Sequence, residues 1–245
     1  MTQVAIVTGA SRGIGASTVR LLAARGYHVA VNYRTEPEAA HNLCAEIEAN
    51  RGRAIAVEAD VSKADQVADM FAIVDKELGP VTALVNNAAS IGPSTRIVDL
   101  DITELERLIS INLIGVVQCT QLALRRMSKT FGGAGGAIVN VSSGAAYVGE
   151  PGHGVHYAAT KGAVNSFTIG LAQEVMAEGV RVNAVSPGPI NTAMPHPGLL
   201  EGAALSLPAG RVGEPEEVAE AIVWLLSPAA SFVSCANIRI AGGKP

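Results

Sequence analysis

Val4-Ala5-Ile6-Val7-Thr8-Gly9-Ala10-Ser11-Arg12-Gly13-Ile14-Gly15 is the stretch whose reading decides the fold. Val4 to Val7 is a short apolar run rich in β-branched residues, the pattern of a parallel strand buried on both faces. It leads straight into Thr8-Gly9, and helical spacing begins near Ile14 with Val19, Leu21 and Leu22. Strand, glycine turn and helix in that order make a phosphate cradle. Gly9 permits the tight turn, Gly13 and Gly15 allow close backbone approach and helix–strand packing, and the helix N-terminus faces the anion. The spacing is GxxxGxG rather than the commoner GxGxxG. The glycines therefore need their context, which a second strand at βαβ distance, Tyr27-His28-Val29-Ala30-Val31-Asn32, supplies.

Outward from that unit, strand and helix signals alternate to the end of the chain. Strands are expected at Ala54–Asp60, Ala83–Asn87, Gly136–Ser143, Val180–Val185 and from Phe232-Val233 to Ile238–Ile240. Helices are expected at Gln66–Leu78 and, as one long element, Leu105–Met127. The 245 residues suit one α/β domain, a Rossmann-type doubly wound sheet of about seven mostly parallel strands with helices on both faces. Aromatics are only 4% of a chain that is 49% hydrophobic, so the core is aliphatic, as strands covered on both faces require. Polar residues gather beyond the strand ends, where an open parallel sheet holds its ligand: Asp60, Asn86-Asn87, Ser142-Ser143 and Pro187-Gly188.

Composition narrows the function. A net charge of −4 gives no support to a nucleic-acid surface. The apolar runs fall short of a membrane span, and Val4 leaves no room ahead of it for a signal peptide, so a cytoplasmic location is expected. Cys44, Cys119 and Cys235 lack paired spacing and read as reduced thiols. His153 and His156 lack further ligands at metal spacing, so no metal is expected.

The end of the second strand reads Asn32-Tyr33-Arg34, without the acid that ordinarily bonds a ribose 2′-hydroxyl. Arg12 lies in the glycine loop, and Arg12 and Arg34 together suit a 2′-phosphate. NADP(H) is therefore the expected cofactor, with NAD(H) possible. Tyr157-Ala158-Ala159-Thr160-Lys161 places a phenol and an ammonium on one helix face. At ~4 Å and an effective dielectric of ~20 their attraction is about 4 kcal/mol, and desolvation of the phenolate opposes it. The expectation is a lysine that lowers the tyrosine and poises it as a general acid/base.

These segments together resemble the short-chain dehydrogenase/reductase family, classical type, over essentially the whole chain. The motifs are Thr8–Gly15, Asp60-Val61, Asn86-Asn87-Ala88-Ala89, Asn112, Ser143, Tyr157–Lys161, Pro187–Thr192 and Gly210–Ser227. The resemblance implies a carbonyl–alcohol oxidoreductase with Asn112, Ser143, Tyr157 and Lys161 as its catalytic set. Asn112 would hold a relay water toward Lys161, and Lys161 would also bind the nicotinamide ribose. Gly9, Ser11, Arg12, Gly13, Ile14, Gly15 and Arg34 would bind the cofactor. So would Asp60 and Val61 at the adenine, Asn86 and Ala88 at the inner ribose, and Pro187, Gly188, Ile190 and Thr192 at the carboxamide side. Three departures stand out. Ser143 lies fourteen residues before Tyr157 rather than thirteen, Ser234-Cys235-Ala236 replaces a frequent Thr-Gly pair, and no acid precedes Gly242-Gly243.

The segment from Asn191 to Leu207 is rich in Met, Pro, Leu and Ala with Glu201 its one charge, as a lid over a neutral or weakly polar substrate. A small ketone, diketone, quinone or sugar-like alcohol is the expected substrate. The alternative is 3-oxoacyl-carrier-protein reduction, which Glu174 and Glu178 disfavour by repelling an acidic carrier. An alternative of another class is a protein that senses NADP(H) without turnover. Ala158, Ala159, Gly162, Ala163, Phe167 and Leu171 form a face another helix can approach closely, and Ile109, Leu113, Val116 and Val117 are similarly apolar; the family resemblance implies that these two helices pair across a two-fold into a homodimer or homotetramer.

Overall fold

The computed structural model describes residues 3–192, 202 and 207–244. The strands are β1 (Val4–Val7), β2 (His28–Tyr33), β3 (Arg53–Glu58), β4 (Ala83–Asn86), β5 (Gly136–Val141), β6 (Val180–Pro187) and β7 (Asn237–Ile240). They form one sheet in the order β3-β2-β1-β4-β5-β6-β7, every neighbour parallel. The helices that shape it are α1 (Gly13–Ala24), α2 (Pro37–Ala49), α3 (Ala64–Glu77), α4 (Ile102–Ile109), α5 (Gly115–Met127), α6 (Ala145–Val148), α7 (Val155–Val175) and α8 (Pro215–Leu226).

Strand alternation divides the core into two layers. In β1, Ala5 and Val7 pack with Val19 and Leu22 of α1, Leu43 and Ile47 of α2, and Val218 and Ile222 of α8. Val4 and Ile6 face the other way, onto Met70 and Phe71 of α3, Cys119 and Ala123 of α5, and Leu171 and Val175 of α7. Burying such a side chain contributes about 1.5–3 kcal/mol, so each layer alone outweighs any surface pairing. The chain reverses direction across the sheet between β1 and β4, the crevice where doubly wound sheets bind ligands.

Four expectations change. The long helix is not continuous: a π-helical turn, Ser110–Ile114, separates α4 from α5. Gly115 follows it because a Cβ there would lie 2.9 Å from Val61. Counted together, Ile102–Met127 is long and apolar enough by length and composition to cross a membrane, contrary to the expectation from apolar runs. Its buried Leu108, Ile111, Val116, Cys119, Ala123 and Met127 are spent against the protein's own interior. The last strand begins only at Asn237, since Cys235 adopts φ 68°, outside strand geometry, and Phe232 is 98% exposed. On α7, Ala158 and Leu171 are buried within the chain and are not free to meet another helix.

Candidate active site

The β1–α1 turn is built for close approach. Gly9 (φ 60°) and Gly13 (φ 55°) take conformations that side chains resist, and a Cβ on Gly9 would come 2.9 Å from Ala88. Gly15 packs rather than lines: a Cβ there would meet Asn87 Nδ2 at 2.7 Å and Gly9 O at 2.8 Å. The turn is held from two sides. Asn32 Oδ1 accepts from the Gly9 amide at 3.1 Å while its Nδ2 donates to the carbonyls of Tyr33, Val57 and Ala59. Asn87 Nδ2 donates to the Thr8 and Gly9 carbonyls, and Thr8 Oγ1 accepts from the amides of Asn87 and Ala88. Helix α1 then starts with no side-chain cap and no acid in its first turn, so its amides and the positive end of its dipole face outward.

A cleft of about 300 Å³ opens there. Of the residues expected at a cofactor, Gly9, Ser11, Arg12, Gly13, Ile14, Arg34, Asp60, Val61, Ala88 and Thr192 line it. Asn86 does not, and this corrects its expected place: its side chain is buried and donates to Thr120 Oγ1 at 3.1 Å and Asn140 Oδ1 at 2.9 Å. Alternation along the strand end puts Asn87 at the cleft instead. Gly15, Tyr157, Lys161, Pro187, Gly188 and Ile190 are also not among its walls. Gly188 closes the sheet edge against Ala241, and Ile190 is buried in a bridge to Gly213.

The two arginines are not free cations. Arg12 Nη1 lies 2.6 Å from Glu36 Oε1, and Arg34 Nη1 lies 3.5 Å from Asp60 Oδ2. Partial burial pushes the Asp60 carboxyl up, but the Ser62 amide and hydroxyl and Arg34 outweigh it and hold the acid below its ordinary value. Asn32 and Glu36 were not expected at the site, and Asn87 was expected only at the sheet's ligand edge, with no contact of its own. Their signal was available for the asparagines, which stand at strand ends on the ligand edge, but nothing in the spacing ties Glu36 to Arg12.

The inner end of the cleft, at Ser90 and Ile111, adjoins Asn112. Asn112 sits in the π turn, fully buried. Its Oδ1 accepts from the Ser90 amide at 2.9 Å, and its Nδ2 donates to the Ser90 carbonyl at 2.8 Å and to Thr160 Oγ1 at 3.0 Å. Thr160 in turn donates to the Tyr157 carbonyl at 2.8 Å. The side-chain amide therefore ties the loop after β4 to α7.

Ser143 and Ser142 point apart. Ser143 stands beside the Tyr157 phenol, where it favours the ionised form, and its Oγ accepts the Ala145 amide at 3.1 Å. Ser142 Oγ is buried and donates to the Lys161 main-chain carbonyl at 3.1 Å. The loop between Ser143 and Tyr157 turns sharply where Gly149, Glu150 and Gly152 all have positive φ (76°, 47° and 87°).

The phenol departs from expectation. Burial holds Tyr157 above its ordinary value, Ser143 works against that, and the charge of Glu150 adds to it. Lys161 is not among the causes, because its Nζ lies 5.9 Å from the Tyr157 ring centre and donates to the Val141 carbonyl at 2.8 Å. Only 2% exposed, Lys161 is itself pushed down to about 8 by burial. The desolvation that opposes ionisation has won over the attraction that the spacing suggested.

Residues 9–244 match the family described as enoyl-(acyl carrier protein) reductase. The chain is 45% identical over 245 residues to the uncharacterized oxidoreductase YgfF of Escherichia coli K12, covering 98% of this chain and 99% of that one. It is 40% identical to a 3-oxoacyl-[acyl-carrier-protein] reductase of Synechocystis, covering 98% and 96%. Among solved structures, a short chain dehydrogenase from Burkholderia cenocepacia in complex with NADP superposes with a TM-score of 0.90 at 31% identity, covering 98% and 97%.

Proposed function

The chain belongs to the short-chain dehydrogenase/reductase family of oxidoreductases, and from that premise we propose that it interconverts a carbonyl and an alcohol with NADP(H). The observation that carries this reading is a phosphate-cradling cleft whose inner wall Asn112 ties to the helix bearing Tyr157 and Lys161, with Ser143 beside the phenol.

The cradle fits a dinucleotide. Outward amides at α1 suit a pyrophosphate, and the space beside Gly9 and Gly13 is space a side chain would fill. Arg12, Arg34, Asp60 and Val61 form the adenosine end. Bound there, NADP(H) supplies or takes the hydride. The rest is done by this chain's residues. Tyr157, kept protonated at neutral pH, donates to a carbonyl oxygen in reduction; in the reverse direction it must first lose its proton. Ser143 donates to the same oxygen and stabilises the charge developing there. Lys161 has three ammonium donors, of which Val141 takes one, and the others serve a bound ribose and the proton path. Asn112 has spent its side chain on Ser90 and Thr160, so it contributes to that path through main chain, at a π turn that shifts the hydrogen-bond ladder.

A phenol with a serine hydroxyl beside it suits a substrate oxygen, which favours a ketone over reduction of a carbon–carbon double bond. The acyl-carrier names of the relatives favour a second reading, a 3-oxoacyl thioester. Glu174 is exposed at the α7 end that an acidic carrier would approach, and Glu178 bonds Ser128. A small neutral carbonyl remains the preferred substrate, though most of the expected lid lies outside the described residues. A panel of ketones, diketones, quinones and 3-oxoacyl thioesters, followed by NADPH absorbance, tests this. Oxidation of NADPH with one of the first three is expected; turnover of the thioesters alone would favour the second reading. Binding of NADPH without turnover of any carbonyl would favour a sensor. The outer face of α7 also has open space at Gly162 and Gly170, which supports a homo-oligomer joined through that helix.

A further inference from the structure

Four charged side chains line one end of the cleft: Arg12, Arg34, Glu36 and Asp60. They form two ion pairs of different character. Asp60 is tied locally, its Oδ1 accepting the Ser62 amide at 2.9 Å and hydroxyl at 2.7 Å, and its Oδ2 only loosely engages Arg34 at 3.5 Å. Glu36 has no local tie. It precedes α2 at the position where a carboxylate ordinarily caps a helix, yet its side chain makes no cap bond there. It reaches instead across the chain to Arg12, at 2.6 Å.

An arginine has a fixed set of donors, and those held by a carboxylate are not offered to a phosphate. We propose that Glu36 tempers the cofactor preference: its carboxylate holds the Arg12 Nη1 donor, so a 2′-phosphate must compete with it for that side of the guanidinium. A nucleotide without that phosphate leaves the pair intact. The protein's discrimination is then weaker than two arginines alone would give. This rests on the NADP(H) reading above.

The pair is exposed, and such pairs hold only weakly, so neutralising Glu36 should tighten 2′-phosphate binding about threefold to fivefold. Salt should erode the gain. The test is calorimetric titration of the full chain with adenosine 2′,5′-bisphosphate and with adenosine 5′-monophosphate. Wild type, Glu36→Gln and the Arg12→Gln/Glu36→Gln double variant are compared at low and high salt. The expected result is tighter bisphosphate binding in Glu36→Gln, a smaller gain at high salt, no change for the monophosphate, and no gain once Arg12 is also replaced. Glu36→Gln should melt like wild type, since it gives up no helix cap. Unchanged or weaker bisphosphate binding in a folded Glu36→Gln protein overturns the proposal. A wild type that fails to prefer the bisphosphate overturns the NADP(H) reading itself, and the proposal with it.

Discussion

At the arginine end of the cleft, Arg12 and Arg34 keep more than half of their side-chain surface in solvent (59% and 54%) and each leans on an acid. Beside Tyr157, beyond the cleft's walls, Lys161 is 2% exposed and has a main-chain carbonyl as its partner. The first region pairs its charge in water; the second buries its ammonium away from it. The first kind of site responds to salt and tolerates exchange of partners. The second responds to pH, and each hydrogen bond in it is expensive to lose.

The sharpest break in that contrast comes from the region around Tyr157. Tyr157→Phe keeps the ring and removes the hydroxyl, and it should lower turnover by ~10²-fold or more while NADPH affinity stays at the wild-type value. Ser143→Ala should cost about a hundredfold at saturating NADPH, the loss of one donor at a developing alkoxide. Ser142→Ala should cost at most about tenfold, since its hydroxyl serves the Lys161 main chain. The reverse ranking would mean that Ser142 addresses the substrate.

Effects at the arginine end should be smaller and confined to binding. Arg34→Asp should weaken NADPH binding about tenfold and shift preference toward NADH, with saturated turnover unchanged. If wild type already binds NADH more tightly, both arginines have been misread.

The last contrast concerns stability. Lys161 titrates at about 8 in the folded protein and near ~10.4 unfolded, so the folded state holds fewer protons between those values. Below pH ~8 the buried charge lowers stability by about 1–3 kcal/mol, and stability recovers as pH rises toward ~10. Lys161→Met should therefore raise the melting temperature at pH ~7, and the gain should shrink by pH ~10. A gain that does not vary with pH would show that burial is not what moves this lysine.

The parts legible in the sequence were those governed by local rules. β-branched runs marked the strands, and glycines marked the cradle because only a residue without a Cβ passes Ala88 at that distance. What stayed hidden depends on tertiary balance. The π turn around Asn112 carries the same apolar spacing as a continuous helix, so periodicity cannot see it. The facing of Asn86 and Asn87 turns on where β4 stops, within the margin of one residue. The direction of the Tyr157 shift depends on how far Lys161 sits and how dry the pocket is, and a YxxxK spacing encodes neither. Glu36 reaches Arg12 across the cleft, from a helix start that ordinarily keeps its acid at home.

The central claim, hydride transfer to a carbonyl with Tyr157 as proton donor, is tested most directly by isotope transfer. NADPH deuterated at its transferable position is incubated with a carbonyl that the wild type reduces, and the product is examined by mass spectrometry. The account predicts one deuterium on the former carbonyl carbon with wild type and about a hundredfold less product with Tyr157→Phe. Product without deuterium, or equal product from the two proteins, would contradict it.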